Sequence, residues 1–99
     1  KDANHFEIMN YLKKLGAYVL DMSTLGQGVP DLMVLINGKN YLVDIKNPKT
    51  GYGRRGLNER QKRWAEEWQG GKVYLISTVD EVILLIQGKE DKLKSYPPD

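Results

Sequence analysis

Residues 32–36 (Leu-Met-Val-Leu-Ile) and 39–45 (Lys-Asn-Tyr-Leu-Val-Asp-Ile) flank Asn37-Gly38. Two largely apolar runs around Asn-Gly are the strongest short-range signal for a β-hairpin, because a two-residue type I′ turn needs positive φ at both central positions. That turn fixes the register. Ile36 faces Lys39, every cross-strand pair has numbers summing to 75, and continuing outward sets Asp31 opposite Asp44. Directly opposed residues have Cβ atoms roughly 4.5 to 5.5 Å apart, and side chains two residues apart on a strand share a face. Lys46 therefore projects from the side that carries Asp44. Both runs are apolar on both faces, so the hairpin is expected to lie centrally in its sheet.

The elements around the hairpin follow from caps and breakers. Asn4-His5-Phe6-Glu7 has the form of a capping box ahead of Phe6, Met9, Tyr11, Leu12 and Leu15, and Gly16 closes the helix expected over about residues 4–15. Residues 17–20 are expected as a short strand. Residues 21–30 form a loop broken by Gly26, Gly28 and Pro30. After a Gly-rich loop over residues 47–56, Asn58-x-x-Gln61 opens a helix with an apolar stripe of Leu57, Trp64, Ala65 and Trp68, ended by Gly70-Gly71. Residues 72–77 give a strand, Thr78-x-x-Glu81 caps a helix to about Gln87, and the tail with Pro97-Pro98 is expected to be loose. The order α-β-β-β-α-β-α implies an α/β fold, a mixed central sheet flanked by helices.

Composition narrows the chemistry. The 99 residues, 40% hydrophobic and 28% charged, suit one soluble domain over residues 1–99. Without cysteine there is no disulfide, thiolate zinc site or thiol nucleophile, and His5 is the only histidine. A metal must be held by oxygen. The longest apolar run, residues 82–86, is far short of the roughly 20 residues that span a bilayer, and no signal peptide is evident. The expectation is an intracellular protein without membrane contact; a first residue other than Met suggests that residues precede Lys1.

The net charge of +2 is unevenly spread. Residues 46 to 63 hold Lys46, Lys49, Arg54, Arg55, Arg60, Lys62 and Arg63 against Glu59 alone, a local +6 that leaves −4 for the rest. Concentrated on one loop and helix start, that charge suits a phosphate backbone, although a basic run can also be a merely solvated face.

The acids beside it bias the choice. Like charges directly opposed across a strand pair repel, so Asp31 facing Asp44 calls for compensation by a cation. Mg²⁺ takes oxygen ligands, typically one or two carboxylates with water and substrate phosphate completing the shell. Held there, it would polarise a phosphodiester and acidify an attacking water. Lys46 is positioned to orient that water or to neutralise charge in the transition state.

Gly28-Val29-Pro30-Asp31-Leu32, then Asp44-Ile45-Lys46, then Gln61 early in the next helix, together resemble the PD-(D/E)XK nuclease superfamily, and within it the VRR-NUC family. The resemblance covers roughly residues 6–82. It implies a restriction-endonuclease-like αβββαβ core, with Asp31 and Asp44 as metal ligands, the Ile45 carbonyl as a further ligand and Lys46 as the catalytic lysine. It also matches Glu7 to the acid of the first helix, a further catalytic residue and metal ligand, and Gln61 to the glutamine after the hairpin, a further catalytic residue. The second acid is Asp44, where many relatives carry Glu.

The resemblance further implies a Mg²⁺-dependent endodeoxyribonuclease, with Mn²⁺ able to substitute, in the cytoplasm of a bacterial or phage-infected cell. Lys49, Tyr52, Arg54, Arg55, Arg60, Lys62 and Arg63 are the expected DNA-binding residues. Nothing here reads bases, so shape is the expected basis of selection. A symmetric homodimer would bring two cutting centres to a four-way junction, making a Holliday-junction resolvase of DNA recombination and repair the leading expectation. Other branched, flapped or nicked DNA and a non-catalytic nucleic-acid-binding module are the alternatives. Several residues keep a structural reading: Glu7 and Gln61 as helix caps, Trp64 and Trp68 as core, His5 as a surface residue, and Tyr52 as a loop anchor rather than a stacking platform.

Overall fold

A computed structural model describes residues 3–98, apart from the side chain of Tyr52, so the expected role of Tyr52 lies outside the described residues. Asn37 and Gly38 adopt φ of 53° and 75°, the positive values that the two-residue turn demands. They join β2 (Leu32–Ile36) to β3 (Lys39–Ile45) in the expected register, with Ile36 opposite Lys39 and Leu32 opposite Val43.

Around this hairpin the chain builds one five-stranded sheet in the order β1-β2-β3-β4-β5. Its other strands are β1 (Tyr18–Asp21), β4 (Val73–Ile76) and β5 (Lys94–Tyr96). Among the described residues only β3 and β4 pair in parallel. Parallel neighbours need a long crossover, supplied here by α2 (Gly51–Arg54) and α3 (Glu59–Trp68). The remaining helices are α1 (His5–Lys14) and α4 (Val79–Ile86). The fold is α/β with a mixed sheet flanked by helices, and among the described residues no helix is long and apolar enough to cross a membrane.

The two faces of the sheet are covered differently. Ile8 and Leu12 of α1 and Val82 and Leu85 of α4 pack with Leu32, Val34, Val43, Ile45 and Ile76 in the main core. Fully burying one such aliphatic side chain contributes about 1.5–3 kcal/mol. The opposite face carries a smaller cluster, Leu42, Ala65 and Val73 with Met33, Trp64 and Tyr96, covered by α3. Strand alternation divides β3 between them: Val43 and Ile45 enter the main core, while Leu42 and Asp44 point toward α3.

Four expectations are corrected. The first capping box does not form, because the Asn4 side chain makes no cap bond and its Nδ2 instead donates to the carbonyls of Lys46 (3.0 Å) and Ser77 (2.8 Å), just past the ends of the parallel strands. His5 is 1% exposed, and its Nε2 lies 3.3 Å from Oδ2 of Asp21 at the end of β1. Trp68 stacks on Trp64 at 5.1 Å between centroids yet remains 43% exposed, so only Trp64 serves the core. The tail is also less loose than expected, since β5 pairs antiparallel with β4 and Tyr96 packs toward α3.

Candidate functional site

Asp31, Asp44, Lys46 and Gln61 meet on the α3 face where the hairpin strands end. Gly28 brings the helix to the acids: its φ is +82°, and a Cβ there would lie 2.6 Å from the Arg60 carbonyl oxygen. Only glycine lets the loop before Asp31 approach the first turn of α3 so closely. Asp31 then accepts the Ile45 N–H on Oδ2 at 2.9 Å, which ties the end of β2 across to β3.

The helix start delivers Gln61. Asn58 and Gln61 form the expected capping box: Asn58 Oδ1 accepts from the Gln61 N–H and Gln61 Oε1 accepts from the Asn58 N–H, both at 2.9 Å. The same Oε1 also accepts from Lys46 Nζ at 3.0 Å. Gln61 Nε2 is turned to Asp44, 3.5 and 3.4 Å from Oδ1 and Oδ2. Capping and site contact, posed by the sequence as alternatives, are both made by one amide.

Asp44 is 1% exposed and its Oδ2 is 2.9 Å from Lys46 Nζ. Burial, and after it the nearby charge of Asp31, push the Asp44 carboxyl up to about 7; the Lys46 ammonium pulls the other way without prevailing. Two carboxylates thus share one ammonium, and their all-oxygen donor set fits a hard divalent cation. Among the described residues no group of three or more acids or histidines is assembled for a metal, and Mg²⁺ does not require one, since one or two carboxylates with waters and phosphate suffice. Asp31, Asp44 and the Ile45 carbonyl would be its protein ligands.

The other site expectations are placed as follows. Glu7 is exposed on α1 and lines a cleft with Asn47, Lys49 and Ser77 that neither Asp31 nor Asp44 lines, so the structure does not bring it together with the acid pair there. The basic segment is more ordered than a flexible loop. Residues 51–54 form a helical turn whose Gly53 lies so close to Asn47 that a Cβ would fall 2.0 Å from the Asn47 oxygen, and Arg54 Nη1 donates to the Pro48 carbonyl at 3.2 Å. Lys49, Arg54, Arg55, Arg60 and Arg63 are exposed. Lys62 is partly engaged, 3.9 Å from Glu59 and 5.9 Å above the Tyr96 ring.

Sequence reasoning missed Asn4 as a support of the site. Its partners lie 42 and 73 positions away, and no local pattern announces them. Comparison with protein-family models, with curated proteins and with solved structures returned no match to this chain.

Proposed function

We propose that the protein is a metal-dependent endonuclease of the PD-(D/E)XK type, similar to the VRR-NUC family, that hydrolyses phosphodiester bonds in branched DNA. The observation carrying this reading is the buried Asp44 held between Lys46 and Gln61, beside Asp31 and an exposed basic segment. A structural ion pair alone has no need of a second carboxylate that raises the first one's pKa; a cation site does.

In this reading Asp31, Asp44 and the Ile45 carbonyl hold Mg²⁺, or Mn²⁺ in its place. When bound, the ion supplies Lewis-acid polarisation of the phosphate and an acidified water. Lys46 would neutralise a non-bridging oxygen or orient the water, with Gln61 keeping the ammonium in position. Lys49, Arg54, Arg55, Arg60 and Arg63 hold the flanking backbone, which predicts affinity that falls steeply with salt. One centre cuts one strand, so a homodimer acting on a four-way junction is the assembly favoured here.

The test incubates the protein with a synthetic four-way junction, a flap, a nicked duplex and an intact duplex, with Mg²⁺, Mn²⁺ or EDTA. Metal-dependent cleavage, abolished in Lys46→Ala, is expected, strongest on the junction. Absence of cleavage on every substrate, or full cleavage by the variant, overturns the reading in favour of a binding module. Sedimentation at micromolar concentration tests the dimer.

A further inference from the structure

Two cavities open on the α3 face and share a wall. The smaller, about 280 Å³, is lined by Lys46, Arg54 and Ser77 past the ends of the parallel strands, and by Glu81, whose Oε1 accepts the Ser77 and Thr78 N–H groups. The larger, about 410 Å³, extends from it toward β5. Gly56, Leu75 and Lys94 line both. Gly56 has φ of +82°, and its absent Cβ would stand 3.6 Å from Leu75 Cδ2, so residue 56 puts no side chain into the passage.

The larger cavity has a distinct chemistry. Leu57, Leu75 and Tyr96 wall it, and Arg55, Lys62 and Lys94 surround those walls with positive charge. Among the described residues no carboxylate lines it. The Tyr96 ring is held in place, its hydroxyl donating to Glu66 Oε2 at 2.5 Å and the Lys62 ammonium lying 5.9 Å from its centroid. Apolar and aromatic walls suit a flat heterocycle, cations suit a phosphate, and the volume falls within the roughly 300–1,000 Å³ of small-ligand sites.

The geometry points to a nucleotide subsite: the larger cavity takes the base of an unpaired nucleotide, and Lys94 with Arg55 holds its phosphate on the path to Lys46. The occupant is single-stranded, because a base can enter such a cavity only after leaving its stack, and unstacking costs least where the nucleotide is already unpaired. Placing that nucleotide next to the scissile phosphate rests on the nuclease reading; the binding of a nucleotide does not. Together they give a physical basis for preferring branched DNA.

The decisive measurement titrates the metal-free, full chain with thymidine 5′-monophosphate and with 5′-phosphorylated trithymidylate, followed by backbone amide NMR. Shifts at Gly56, Leu75, Ser95 and Tyr96 are expected, with affinity at least about fivefold weaker in Lys94→Glu and in Tyr96→Ala, and within about twofold of the parent in Tyr96→Phe, which keeps the ring. Lys94 is exposed, so its reversal tests the subsite should Tyr96→Ala fail to fold. Shifts confined to Lys49, Arg54 and Arg60, or inorganic phosphate binding as tightly as the nucleotide, overturn the subsite. Cleavage assays separate the two proposals. A normal titration with no cleavage of any DNA overturns the nuclease and leaves the subsite standing; metal-dependent cleavage with no shifts at Ser95 and Tyr96 overturns the subsite alone.

Discussion

The two faces of the sheet use one set of strands for opposite ends. Toward α1 and α4, Val43 and Ile45 are sealed in apolar packing; toward α3, their immediate neighbours Asp44 and Lys46 are buried together, 2.9 Å apart. Burying apolar surface stabilises the fold, whereas burying a carboxylate beside another carboxylate costs stability. Alternation along β3 lets the first face support the expense of the second.

Substitutions should separate the faces, and the largest expected effect is on catalysis. Lys46→Ala and Asp44→Asn are each expected to lower metal-dependent junction cleavage by about 10²–10³-fold, with thermal melts showing that the main core remains folded. If either variant cleaves normally, the α3 face is no more catalytic than its opposite. Stability should respond in reverse. Leu12→Ala, at a fully buried position, is expected to cost about 2–5 kcal/mol in denaturant unfolding. Met33→Ala, half-buried on the α3 face, should cost about 1–2 kcal/mol. Equal losses would erase the distinction.

The acid pair adds a pH signature. The folded pKa of Asp44, about 7, lies above its ordinary value of 3.8, so metal-free stability is greatest below about pH 4 as far as this group is concerned and is lost as pH rises toward and through 7. The metal-free protein should melt several degrees lower at pH 8 than at pH 5, Mg²⁺ should restore the difference at pH 8 with little effect at pH 5, and Asp44→Asn should flatten the profile. Smaller still, Asn58→Ala removes one half of a capping box and should cost about 1 kcal/mol. Cleavage should change little, because the Asn58 N–H and the Lys46 ammonium that hold the Gln61 amide are both kept.

The smallest effect is expected on β1. Burial would raise the Asp21 carboxyl, but hydrogen bonds from Ser23 Oγ and the Ser23 N–H, together with His5, bring it down to about 2. Its contribution is present above about pH 4 and lost as pH falls toward 2, and Asp21→Asn should move the acid-unfolding midpoint slightly upward in circular dichroism.

What the sequence made legible was local or followed from register. Asn37-Gly38 alone set Leu32 against Val43 and thereby brought Asp31 and Asp44 together, and the capping boxes at Asn58 and Thr78 marked two helix starts correctly. The failures share a cause in distant partners. Asn4 looked like a cap because its local pattern is that of a cap; two carbonyls just past the ends of β3 and β4 engage its amide instead. His5 looked exposed because Asp21 is sixteen positions away. The strand at residues 94–96 rests on pairing with β4, which three residues ahead of two prolines do not advertise.

Gln61 leaves a consequence for how the site keeps its polarity. Its Oε1 receives two donors, the Asn58 N–H and the Lys46 ammonium. Rotating the amide by half a turn would set its NH₂ group against both. The amide is therefore locked in one sense, and its positive edge faces Asp44 whether or not the longer contacts to that carboxylate hold. The orientation of a dipole at the acid pair is thus enforced by the backbone of the helix terminus, so a shift of the Asn58 N–H would register as a change in the electric field that the carboxylate experiences.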